Sequence, residues 1–323
     1  MIEFLSNPDW IKPQMDFLLY LQNLRVNCSD IFDRLFLSIT VIGEFWLPTL
    51  ICAIVYWCID FRAGIYLFSL EGFNKLFAYL FKMLACVYRP WILDSRINPS
   101  PLAIPYATGY SFPSGHSAMS SAVLGGCAYI LKHKIWSTFL ILLVLLVGIS
   151  RLWLGVHTPQ DVIVGLLLGF SLVFILPPII EWAEKDRNRY LLLTIVVDVL
   201  VIIALIYIYF YNTYRVDYVS GKILVDPQHL KDDTLITFAY SLGLINGCFL
   251  CAKFSPFNPK ETPLKQRIIR GIIGGIGLIL LVKFAFKYVL LGDLQVIIAS
   301  SLAFLIGLII TLIYPIIFTK IKL

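Results

Sequence analysis

Three short polar clusters interrupt an otherwise apolar chain, and each holds residue types suited to gripping or breaking a phosphate ester. In the first, Lys82 to Pro90 (K-M-L-A-C-V-Y-R-P), Lys82 and Arg89 stand seven residues apart. That spacing is two helical turns, so both cations fall on one helix face, with Pro90 ending the helix, and two stacked cations call for an anion. In the second, Gly109 to Ser117 (G-Y-S-F-P-S-G-H-S), Ser114 is placed to cap a helix that runs into the apolar stretch Ala118 to Leu131. Gly115 lets a phosphate approach the free N–H groups at the positive end of that helix, with His116 in the first turn beside it. In the third, Ser150 to Asp161 (S-R-L-W-L-G-V-H-T-P-Q-D), Thr158 reads as the cap, Pro159 as the first helical residue and Asp161 as the acidic partner three residues after the cap. Asp161 then lies one turn from His157. A carboxylate that accepts from one imidazole nitrogen fixes the tautomer and leaves the other nitrogen free to attack.

The elements that must position these groups are membrane helices. The 323 residues are 59% hydrophobic and only 14% charged, with a mean hydropathy of +0.84, which places the chain in the membrane class. Apolar runs near 36–59, 63–86, 116–131, 135–156, 159–180, 190–211, 233–253, 268–288 and 293–318 predict nine spans. They are apolar on nearly every side, unlike barrel strands, so the fold class expected is an all-α polytopic bundle. Loops that hold Arg62, Lys132, Lys134, Lys185, Arg187, Arg189, Lys260, Lys265 and Arg267 fall on the more positive, cytoplasmic side. All three polar clusters then face the extracytoplasmic side. Glu3, Asp9 and Asp16 precede any long apolar run, unlike the basic start of a cleavable signal, and Ile11, Met15, Phe17, Leu18 and Leu19 suggest a short helix lying on the membrane surface.

The chain resembles the type 2 phosphatidic acid phosphatase family, whose motifs K-x6-R-P, P-S-G-H and S-R-x5-H-x3-D stand complete and in order at Lys82 to Pro90, Pro113 to His116 and Ser150 to Asp161. The resemblance covers roughly residues 40–180. It implies a lipid phosphatase in which His157 attacks phosphorus to form a phosphohistidine, Asp161 orients it, and His116 protonates the leaving oxygen and later activates water. Lys82, Arg89, Arg151, Ser114 and Gly115 would hold the phosphoryl oxygens, with no metal and no cofactor. The implied substrates are a phosphatidate, a phosphatidylglycerophosphate or a polyprenyl diphosphate such as that of an undecaprenyl diphosphatase. The partners are this lipid and the bilayer, not nucleic acid.

The organisation expected is an N-terminal interfacial segment (1–35), a phosphatase membrane core (36–180) and an added C-terminal transmembrane module (181–323) of about four spans. Gly271, Gly274, Gly275 and Gly277 predict close helix packing, open to a homo-oligomer. Glu44, Glu71, Lys75 and Asp198 lie within apolar runs, where ionisable residues are costly; Glu71 and Lys75, four apart, are read as paired with each other. Two competing functions stand beside hydrolysis: a transporter or flippase that uses the anion site without His157, and vanadium-dependent haloperoxidase chemistry in a similar pocket.

Overall fold

The computed structural model describes residues 7–44, 46–211, 214, 216, 218–219, 222–223, 225–284 and 295–321. Glu3 and the adjoining ends of the runs at 268–288 and 293–318 lie outside them. The described residues are all-α apart from a two-residue antiparallel ladder pairing Tyr218–Val219 with Lys222–Ile223. Among the described residues six helices are long and apolar enough to cross a membrane, or seven if Asp30–Gly43 and Trp46–Ile59 together make one broken span. The protein is therefore an integral membrane protein, and its described residues hold fewer clear spans than the nine expected. The shortfall has local causes. The run at 116–131 forms a helix of only 17 residues, and the run at 268–288 forms Leu264–Phe284, which carries Lys265, Arg267, Arg270 and Lys283.

The helices are α1 (Pro8–Val26), α2 (Asp30–Thr40), α3 (Trp46–Ile54), α4 (Phe61–Ala85), α5 (Pro90–Leu93), α6 (Gly115–Leu131), α7 (Lys134–Trp153), α8 (Pro159–Glu184), α9 (Asn188–Ile206), α10 (Pro227–Phe254), α11 (Leu264–Phe284), α12 (Val296–Leu308) and α13 (Tyr314–Lys320). They divide into two compact units, Met1–Glu44 with Phe77–Ser171 and Asn212–Lys231, and Phe45–Leu76 with Leu172–Tyr211 and Asp232–Leu323.

In the first unit, α6 is built from small residues. Ser117, Ala118, Ser120, Ser121, Ala122, Gly125 and Gly126 are all buried, so neighbouring backbones can come close. A Cβ on Gly165 of α8 would stand 2.6 Å from the Ser114 carbonyl, and one on Gly169 would stand 2.0 Å from Ser121 Oγ. The expected short N-terminal helix forms as α1, and Ile11, Met15 and Leu18 bury against Ile97 and Leu152 of the same unit while Phe17 stays exposed. Its polar residues reach the third cluster, with Gln160 N–H donating to Gln14 Oε1 at 3.0 Å and Arg25 Nη1 donating to the Trp153 carbonyl at 3.1 Å.

In the second unit the predicted Glu71–Lys75 pair forms, at 2.6 Å, and Thr49 Oγ1 donates to the same Glu71 oxygen at 2.6 Å. Asp198 accepts from Asn246 Nδ2 at 2.8 Å. These partners offset the cost of placing ionisable groups among apolar helices. The expected glycine packing is internal at three positions: a Cβ on Gly271 would meet Cys58, one on Gly274 would meet Trp57, and one on Gly277 would meet Tyr314.

Candidate active site

All three polar clusters lie in the first unit, and backbone hydrogen bonds tie them together. Ser111 N–H donates to the Val87 carbonyl at 2.7 Å, and Ser114 N–H donates to the Asp161 carbonyl at 2.9 Å. The first cluster is not one helix face, as its spacing suggested. α4 ends at Ala85, Cys86 takes a left-handed conformation (φ 50°), and Arg89 is reached through extended backbone, with Pro90 starting α5 rather than ending α4. A proline fits the first position of a helix because its missing N–H has no partner there anyway. Lys82 and Arg89 therefore approach the site from a helix end and from a loop.

The second and third clusters form the caps that their sequences predict. Ser114 caps α6 by accepting from Ser117 N–H at 3.5 Å, and its hydroxyl lies 2.9 Å from that of Ser117. The Phe112–Pro113 peptide before it is cis. Thr158 N–H donates to Asp161 Oδ2 at 2.8 Å, and Asp161 N–H donates back to Thr158 Oγ1 at 3.3 Å, the reciprocal pattern of a capping box. The capping carboxylate also faces the imidazole, with His157 Nδ1 3.4 Å from Asp161 Oδ2. Asp161 is thus both a cap and a neighbour of His157.

The hydrogen bonds around His157 select its tautomer. Nε2 lies 2.9 Å from Arg89 Nη1, and a guanidinium can only donate, so Nε2 is the acceptor nitrogen. The proton then sits on Nδ1, which points to Asp161 and, at 3.2 Å, to Ser111 Oγ. Ser111 donates its own hydrogen to Asp161 Oδ2 at 2.5 Å. Ser111, His157 and Asp161 are all buried. Burial first, and then the positive charges of Arg89, Arg151 and Lys82, hold the His157 pKa well below the ordinary imidazole value. The ring is neutral at neutral pH, with a lone pair on Nε2.

The cations differ in how firmly they are held. Lys82 Nζ donates to the carbonyls of Tyr110, Pro113 and Ser111, at 2.9, 3.1 and 3.5 Å. Arg89 donates to Gly109, Val156 and Thr108, at 3.1, 2.9 and 2.7 Å. Both side chains therefore clamp the loops that carry His116 and His157. Arg151 is 1% exposed and donates from Nη1 to Thr40 Oγ1 at 2.9 Å, while its Nε has no partner among the described residues. His116 Nε2 is likewise buried without a partner. Asp161 Oδ1 is a third such atom; buried polar atoms are nearly always satisfied, so the two orphaned nitrogens of Arg151 and His116 point to a polar ligand. Of the two glycines in this cluster, Gly109 packs against Leu230, whereas a Cβ on Gly115, between Ser114 and His116, would meet no heavy atom within 4 Å.

Every sequence-predicted site residue thus sits in one unit: His157, His116, Asp161, Lys82, Arg89, Ser114, Gly115 and Arg151. Sequence reasoning missed Ser111 and Thr40. Ser111 could have been found, since it stands in the same polar cluster as His116, whereas nothing in the sequence around Thr40 marks it. Among the described residues no group of three or more His, Cys, Asp or Glu side chains is arranged to hold a metal ion.

Residues 62–185 match the family described as PAP2 superfamily, and residues 236–323 match PAP2 superfamily phosphatase, transmembrane extension. Phosphatidylglycerophosphatase B of Bacillus subtilis (strain 168) is 33% identical over 117 residues, covering 33% of this chain and 57% of the relative. An undecaprenyl-diphosphatase of Sulfolobus acidocaldarius is 41% identical over 80 residues, covering 24% and 38%. The bacitracin transport permease protein BcrC of Bacillus licheniformis is 37% identical over 82 residues, covering 25% and 38%. The chain therefore spans between 38% and 57% of the length of these curated relatives. No solved structure matches it. With the three motifs gathered in one unit, the chain is a member of the PAP2 superfamily, carrying its core domain at 62–185 and its transmembrane extension at 236–323.

Proposed function

We propose that this protein is a membrane lipid phosphatase that hydrolyses a lipid phosphate or lipid diphosphate through a phosphohistidine on His157, without a divalent metal. The observation that carries the reading is the state of His157: a neutral, buried imidazole whose Nδ1–H is backed by Ser111 and Asp161 and whose Nε2 lone pair points toward the cations. Nε2 attacks phosphorus, forming the N–P bond as the bond to the lipid oxygen breaks. Burial and the charges of Arg151, Arg89 and Lys82 hold the His116 pKa below the ordinary imidazole value in the empty site; the substrate's negative charge offsets those cations, so that His116 takes up a proton as substrate binds and delivers it to that leaving oxygen. Neutral His116 then takes a proton from water, the hydroxide attacks phosphorus, the N–P bond breaks, and orthophosphate leaves. Phosphoryl transfer asks mainly for positioning and for positive charge around the equatorial oxygens. Arg151 and the N-terminus of α6 at Ser114 and Gly115 offer that charge directly, and Lys82 and Arg89 add to the field and exchange carbonyl for phosphoryl oxygens as substrate binds.

The names of two relatives, a phosphatidylglycerophosphatase and an undecaprenyl-diphosphatase, favour phosphatidylglycerophosphate and polyprenyl diphosphate as first substrates. The positive-inside bias favours an extracytoplasmic site. A second reading, a phosphorylated-lipid transporter that uses the same anion site, is supported by the name of a relative called a transport permease. Phosphate release from both lipids by purified protein in detergent and excess EDTA tests the first reading. Wild type should turn over and label a histidine covalently, His157→Ala should do neither, and His116→Ala should lose most on the poorer leaving group. Full activity in His157→Ala, or lipid transfer between leaflets with no phosphate released, would overturn it.

A further inference from the structure

Thr40 is the last residue of α2 and lies outside the stretch of chain that matches the PAP2 superfamily core. It is also the one buried residue of that helix, at 1% exposure, while Ile31, Phe32 and Leu35 of the same helix are exposed. Its hydroxyl oxygen is spent on Arg151, accepting from Nη1 at 2.9 Å. The contrast with Arg89 is informative. Three backbone carbonyls fix the plane of the Arg89 guanidinium, whereas the hydrogen bond to Thr40 is what the described residues provide for Arg151, and its buried Nε is left open. A long side chain held at one end of its fork is aimed by that contact. The same segment reaches the neighbouring histidine: three residues on, a Cβ at Gly43 would stand 2.6 Å from the His116 carbonyl. Glu44 follows, and its charge acts on Arg151.

We infer that Thr40 is a positioning residue for Arg151, turning the open edge of the guanidinium toward the phosphoryl oxygens, so that the segment before the core domain forms part of the anion site. The inference rests on the proposed function insofar as Arg151 binds phosphate. It is tested with Thr40→Val, which keeps the volume and removes the acceptor, and Thr40→Ser, which keeps the acceptor. Orthophosphate, the hydrolysis product, is the probe, and its affinity is read from thermal stabilisation of the full chain in detergent, beside kcat and KM on a lipid phosphate. A hydrogen bond to a charged group predicts about a tenfold loss of orthophosphate affinity in Thr40→Val, with Thr40→Ser near wild type. In an Arg151→Lys background the valine substitution should cost about twofold or less, because paired changes within one contact do not add. Wild-type affinity in Thr40→Val, equal losses in the serine and valine variants, or an undiminished valine effect in Arg151→Lys would each overturn the inference. If wild type binds orthophosphate yet hydrolyses no lipid, the reaction is wrong while the affinity series still decides the role of Thr40. Should the valine variant fail to fold, Thr40→Ala, which also removes the acceptor, takes its place: an affinity loss confined to the Arg151 background and absent from Thr40→Ser supports the inference, and an affinity equal to that of Thr40→Ser overturns it.

Discussion

Removing a single hydroxyl should separate the orientation of His157 from phosphate binding. Ser111 sits between the imidazole and its carboxylate, accepting from His157 Nδ1 at 3.2 Å and donating to Asp161 Oδ2 at 2.5 Å. In Ser111→Ala both contacts vanish at once. Asp161, fully buried and with Oδ1 already lacking a partner, would keep the donors from Thr158 and from His157 at 3.4 Å. A hydrogen bond to a charged group is worth about 1.5–3 kcal/mol, and the imidazole gains positive character as Nε2 bonds to phosphorus, so the loss falls mostly on the transition state. That is roughly a 10- to 100-fold fall in kcat. KM should move by no more than about twofold, because Ser111 touches the orienting network rather than the phosphate cradle. The assay is steady-state phosphate release in detergent, with kcat and KM resolved separately and His157→Ala as the inactive reference. A Ser111→Ala enzyme within twofold of wild-type kcat, or one in which only KM rises, would refute the argument that Ser111 holds the imidazole in its reactive tautomer.

Two further outcomes follow from the geometry. Gly165→Ala should lower the melting temperature and the activity together: its Cβ would stand 2.6 Å from the Ser114 carbonyl and 3.2 Å from Ser117 Cβ, an overpacking that costs about 1–3 kcal/mol and displaces the α6 cap; a variant with unchanged melting and turnover would contradict it. His157 should stay neutral through and below the ordinary imidazole range, because burial and the neighbouring cations depress its pKa. The unfolded chain then binds the extra proton first, so the contribution of His157 to stability is complete above the unfolded value of about 6.5 and is lost as pH falls toward the folded value. With only four histidines in the chain, a ¹⁵N-histidine NMR titration in detergent can follow each ring, and a His157 midpoint at or above 6.5 would be the contrary result.

How much of this could be read along the chain depended on how far apart the interacting residues are. The membrane class is additive over neighbouring residues, so composition sufficed; the number of spans did not follow, because run length alone cannot tell a 17-residue buried helix from a crossing. Caps and one-turn pairs were legible for the same reason. Ser114 with Ser117, Thr158 with Asp161, His157 with Asp161 and Glu71 with Lys75 all lie three or four residues apart, where helix geometry alone brings side chains together. The first cluster failed at that test. Its seven-residue spacing implied a shared face only if the helix continued, and the left-handed turn at Cys86 ends it.

Recognising three motifs together pointed to one site, since each supplies a piece of the same chemistry. What no stretch of sequence could state is which atoms meet. Arg89 reaches His157 across 68 positions, Ser111 reaches Asp161 across 50, and Arg151 reaches Thr40 across 111. These distances close only because small residues on α6 and α8 let their backbones approach and because α2 ends where Arg151 is buried. The residue types and their local order were therefore set by the sequence as a line of neighbours. The tautomer of His157, the carbonyl clamps on Lys82 and Arg89, and the partner of Arg151 were decided by packing, which is a property of the whole fold.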